Sequence, residues 1–167
     1  TVFTGVGNCD AIAVPGTVPC AVLPIDTVNC ITVNNTGVAG SGIDPGCAGY
    51  AGGDLWYQLP VPLSGNVMVA TSDAGGLTDT GLSLWTGTNC VDLTEQACDD
   101  DGGAGYYSQA SAYDLPPGAT LYIQVFGYGG GAGAFQLCVT DLGQVHLDST
   151  EIPLVKINTL GQAMHDG

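Results

Sequence analysis

The sequence predicts an all-β chain folded as an antiparallel β-sandwich, with an extension strand at its C-terminal end. Three observations predict it. Apolar residues recur with period two in short segments, clusters of Gly, Pro, Asp and Asn separate those segments, and helical periodicity is almost absent. Hydrophobic residues make up 45% of the 167 positions, enough apolar surface to offset the entropy of ordering. Glycine, at 27 residues, stands at more than twice its usual share.

In chain order, residues 1–50 form a Cys- and Pro-rich N-terminal part of the sandwich, with a strand signal over 28–33. Residues 51–141 form its core. Leu55, Tyr57, Leu59 and Val61 alternate in the first segment, then Val67 and Val69, then Leu82 and Leu84. Leu121, Ile123 and Val125 follow, and finally Phe135, Leu137 and Val139. Each set points to one face of a sheet. The turns between them are Pro62-Leu63-Ser64-Gly65, Asp73-Ala74-Gly75-Gly76, Pro116-Pro117-Gly118 and Gly129-Gly130-Gly131. About eight strands at this spacing describe a sandwich or jelly roll. Residues 142–167 are a tail carrying the strand-prone stretch Ile152-Pro153-Leu154-Val155-Lys156-Ile157.

Sixteen carboxylates face a single cation, Lys156, for a net charge of −15. That balance excludes nucleic acid and bare anionic lipid, which need lysine or arginine to displace counterions. Clustered Asp in loops is instead where a divalent cation binds, although the same charge also keeps a Gly-rich surface soluble. No apolar run is long enough to span a membrane. The chain opens at Thr1 with no apolar signal region, as expected of a mature or excised piece of a longer secreted precursor.

Seven cysteines, with no CxxC and no Cys/His zinc spacing, read as structural disulfides formed in an oxidising compartment. Cys90 and Cys98 flank a turn and are one candidate pair, with Cys30–Cys47 and Cys9–Cys138 as others. Cys20 is then left over, or exchanges into one of those pairs, since spacing alone does not dictate connectivity.

Five segments carry a resemblance. They are Gly52-Gly53-Asp54-Leu55-Trp56-Tyr57, Asp79-Thr80-Gly81-Leu82-Ser83-Leu84-Trp85-Thr86-Gly87 and Cys98-Asp99-Asp100-Asp101-Gly102-Gly103, then the stretches over 115–125 and 133–137. In this order and spacing, over roughly residues 8–141, the chain resembles the bacterial pre-peptidase C-terminal domain, in the cysteine-containing form of Bacteroidetes-type secreted and surface proteins. The resemblance implies a β-sandwich of jelly-roll type, a non-catalytic accessory module that is secreted or displayed on the bacterial surface and often calcium-stabilised. Its acidic positions map onto Asp79, Asp100 and Asp101, with Asp54 and Asp99 as further candidate ligands. The Pro-rich stretch over 13–28 departs from the family pattern.

The run Asp99-Asp100-Asp101 places three carboxylates on one turn, where they repel unless neutralised; calcium, taking six to eight oxygens, is the cofactor expected. The competing reading is a solvated acidic turn. Trp85, Tyr106, Tyr107 and Tyr128, out of a wider set with Trp56, Tyr113, Tyr122 and Phe126, are candidates for an aromatic face that stacks on sugar rings, against the commoner use of strand aromatics as packing. His146 and His165 stand apart in the tail without HExxH or Ser/His/Asp company, so no enzyme is expected.

The expected function is a non-catalytic extracellular structural or interaction module. In its most specific form it is a filament or surface-assembly subunit in which Ile152, Leu154, Val155 and Ile157 add as a strand to a neighbour's sheet edge. The tail alternatively docks on its own sheet or opens a further domain. The competing function is an accessory module that binds polysaccharide or protein and targets an attached secreted enzyme.

Overall fold

The computed structural model of the chain describes residues 14–143. Expectations that fall on Cys9, on the histidines and on the assembly strand Ile152, Leu154, Val155 and Ile157 lie outside the described residues.

Nine strands are described: β1 (Leu23–Pro24), β2 (Ile31–Asn34), β3 (Leu55–Pro60), β4 (Val67–Asp73), β5 (Thr80–Asn89), β6 (Asp92–Asp99), β7 (Gln109–Ala112), β8 (Thr120–Gly127) and β9 (Ala134–Asp141). They form two sheets, one in the order β1-β3-β8-β5-β6 and the other in the order β2-β9-β4-β7. Every pairing is antiparallel except β1 with β3. The chain is thus an all-β sandwich. β1 is two residues long and lies at a sheet edge, where Pro24 leaves no N–H on the open side while the Ile25 N–H bonds the Gln58 carbonyl at 3.1 Å.

The period-two pattern assigns the faces correctly. Leu55, Tyr57, Leu59, Val67, Val69, Leu82, Leu84, Leu121, Ile123, Val125, Phe135, Leu137 and Val139 all meet in the core between the sheets. The outer face of the five-stranded sheet is covered as well, so β8 is buried along nearly its whole length. Trp56, Trp85 and Tyr122 form a second cluster there, beneath Val22 and Ile43. Tyr50 sets its ring edge-on to Phe126 at 5.1 Å between centroids. No helix among the described residues is long and apolar enough to cross a membrane.

Three disulfides staple these layers, and their pairing corrects the sequence expectation. Cys90 sits in the β5–β6 turn and Cys98 at the far end of β6, roughly 20 Å away at ~3.3 Å per residue, far beyond disulfide reach. Cys98 joins Cys47 instead, with Cα atoms 5.8 Å apart. Cys30 joins Cys138 rather than Cys47, at 4.3 Å, continuing the β2–β9 register in which Ile31 faces Leu137. Cys20, left over in the sequence reading, joins Cys90 at 5.0 Å. All three bonds link segments that the strand order brings together and that lie 51 to 108 residues apart in the chain.

Candidate functional site

Asp79 immediately precedes β5, while Asp100 and Asp101 immediately follow β6. Because β5 and β6 are antiparallel neighbours, with Leu82 opposite Asp99, the start of one and the end of the other share one end of the sandwich. Carboxylate oxygens of Asp79, Asp100 and Asp101 lie within 4.8 Å of one another there. Oδ1 of Asp79 and Oδ1 of Asp100 are buried and have no hydrogen-bond partner. Burial, then the Asp101 charge, raises the Asp79 carboxyl above its usual range. Asp100 is raised for the same reasons, with Asp79 and Asp99 adding to the repulsion.

The loop geometry behind this group depends on residues that carry no obvious sequence signal. Ser108, fully buried at the start of the β7 segment, donates its Oγ–H toward the Asp100 carbonyl at 2.7 Å and lies close to the Thr80 carbonyl. Its N–H meets the hydroxyl of Thr71 at 2.9 Å, and Thr71 and Thr80 are bonded hydroxyl to hydroxyl at 2.6 Å. A hydroxyl triad therefore anchors the acidic loop to β4 and β5. Thr and Ser at three distant positions read as ordinary strand and turn residues, which is why they escape a sequence reading. Gly102 leaves room for the Asp99 carboxylate: a Cβ there would come within 2.5 Å of it, and the carboxylate would have to shift.

Two of the five expected metal ligands stand elsewhere. Asp99 is adjacent, but its Oδ2 accepts the N–H groups of Gly102 and Gln109, each at 2.8 Å, and so closes the loop. Asp54 is wholly buried on the outer face of the five-stranded sheet. Its two oxygens accept from Ser41 N–H at 2.7 Å, Ser41 Oγ at 2.6 Å, Tyr50 OH at 2.8 Å, Gln124 Nε2 at 3.0 Å and the Trp56 indole. A carboxylate so fully engaged has little left for a cation. The network continues from Gln124 to Ser83 at 2.8 Å and from Ser83 to the Trp85 indole at 2.7 Å.

The four expected stacking residues also divide. Trp85 is buried against Trp56, their ring centroids 6.2 Å apart, and Tyr107 packs on the main core with its hydroxyl donated to the Leu77 carbonyl at 2.9 Å. Neither belongs to an exposed aromatic face. Tyr106 and Tyr128 are exposed, and both backbones bond around the acidic group: Tyr128 N–H to the Asp79 carbonyl at 3.2 Å, and Thr80 N–H to the Tyr106 carbonyl at 3.1 Å.

The arrangement offers a set of oxygen donors only. An oxygen-only, multiply charged donor set fits a hard divalent cation and is unsuited to a soft one. Comparison with protein-family models, with curated proteins and with solved structures returns no match.

Proposed function

We propose that the chain is a secreted or surface-displayed module that binds and assembles rather than catalyses, built on a disulfide-stapled sandwich braced at one end by calcium. The observation that carries this reading is the Asp79, Asp100 and Asp101 group with its two buried, unpartnered oxygens. The described residues hold no lysine or arginine to offset that charge. A calcium ion removes the repulsion and supplies the missing partner, and its loose coordination geometry tolerates ligands from two separate loops. Asp79, Asp100 and Asp101 would hold it, tying the approach to β5 to the loop that leaves β6. The resemblance to the pre-peptidase C-terminal domain supports the same three positions, and three disulfides support an oxidising, extracellular setting.

Thermal unfolding with added calcium against chelator tests this reading. At a hundredfold excess over Kd, mass action adds about 2.7 kcal/mol, or roughly 5–10 °C for a domain of this size. The double variant Asp100→Asn, Asp101→Asn should unfold at one temperature in both buffers. A wild-type protein indifferent to calcium, with no binding heat on titration, refutes the metal site.

A further inference from the structure

At the opposite end of the β5–β6 hairpin from the acidic group lies an open groove of about 460 Å³, within the usual range for small-ligand sites. It runs between that hairpin and residues 113–120. Thr86 is roughly 20 Å along β5 from Thr80, so the groove is separate from the proposed calcium site.

Its lining is specific. Thr86, Thr94, Thr120, Asp92 and Asp114 line it, and their side-chain oxygens bond to no described residue. Tyr113 also lines it and is 62% exposed, a flat ring left in water instead of packed. Asp114 is the sole described residue other than glycine with a left-handed backbone, at φ 54°. Such a conformation persists only where the surroundings hold it, and here they do. Asp114 N–H donates to Asn66 Oδ1 at 3.1 Å and Leu115 N–H to the Gly65 carbonyl at 3.0 Å. The strained backbone thus presents Tyr113 and Asp114 side by side at the groove wall.

We infer that this groove binds a neutral glycan, with Tyr113 stacking on the apolar face of one sugar ring and Asp92 and Asp114 accepting hydrogen bonds from its hydroxyls. The chemistry selects that class. No cation lines the groove, so an anionic ligand has no partner. Asp92 and Asp114 belong to no group of three or more candidate metal ligands, unlike Asp79, Asp100 and Asp101, so they suit sugar hydroxyls better than a metal ion. Hydroxyl-to-carboxylate bonds are short and strong, and an aromatic face supplies the apolar contact that a sugar's C–H groups need.

Affinity electrophoresis of the full chain through gels containing neutral β-glucan, mannan, xylan or galactan tests the inference. At least one should retard the wild type. Tyr113→Ala should lose the retardation, and Asp114→Asn, which keeps a residue tolerant of the left-handed backbone, should weaken it at least tenfold in Kd. Both variants should melt within a few degrees of wild type, which separates lost binding from lost fold. Retardation should survive chelator and the Asp100→Asn, Asp101→Asn variant, so the groove and the calcium site stand or fall separately. Free migration in all four gels, or retardation that persists in Tyr113→Ala, overturns it.

Discussion

The Tyr50 hydroxyl donates to Asp54 and accepts the Gly42 N–H, and burial first, then Asp54, pushes its pKa up to about 12. Between the ordinary tyrosine value near 10 and that value, the folded chain keeps a proton that the unfolded chain has released. The stabilising contribution is therefore complete below pH 10 and lost as pH rises through about 12. Burial raises Tyr57 and Tyr107 too, which adds to the same downward slope. Tyr50→Phe should give a shallower loss of urea-unfolding free energy between pH 10 and 12, and equal slopes would contradict it. At this scale the sequence was readable only in part. Asp100 and Asp101 announce themselves as neighbours in a run of acids. Asp54, after two glycines, looks like the same kind of loop acid, but Ser41 and Gln124 arrive from distant segments to enclose it.

Among the elements, the strands with large alternating side chains were legible and the small or polar ones were not. β7 reaches the core only through Ala110 and Ala112, too small to register as an apolar rhythm. β6 is an outer strand whose exposed side chains include Asp92, and carboxylates along such an edge discourage pairing with another chain. The β5–β6 turn depends on Asn89, whose Oδ1 accepts the N–H groups of Val91 and Asp92 at 2.9 and 3.0 Å. The bond between Cys30 and Cys138 ties β2 to β9 and closes the longest of the three loops, spanning 108 residues. Loop-closure entropy makes such a bond worth about 2–5 kcal/mol. Replacing both cysteines by serine should lower the urea-unfolding free energy by that amount without abolishing calcium binding, because Asp79, Asp100 and Asp101 flank β5 and β6, which lie in the other sheet from β2 and β9. A variant as stable as wild type would show that the β2–β9 ladder holds without it.

For the whole molecule, the charge distribution bears on assembly. The described residues carry twelve carboxylates and no lysine or arginine, and the one cation, Lys156, belongs to the strand-prone stretch 152–157. Strand addition to a neighbour would bring that cation to an acidic partner, in line with the proposed assembly role. Sedimentation velocity is the measurement. Full-length chain should form large species that vanish when residues 145–167 are removed, and a full-length monomer at high concentration would sink the assembly reading.

Sequence by itself determined the fold class and the inward faces of β3, β4, β5, β8 and β9, since alternation is a local property of an extended backbone and leaves its trace residue by residue. Only the tertiary structure decided which cysteines meet, which aromatics stay in water, and that Asp54 and Asp99 are engaged elsewhere while Asp79, Asp100 and Asp101 converge. Those outcomes follow from strand order and from how loops lie across the sheets, and contacts between segments tens of residues apart leave no mark on local spacing.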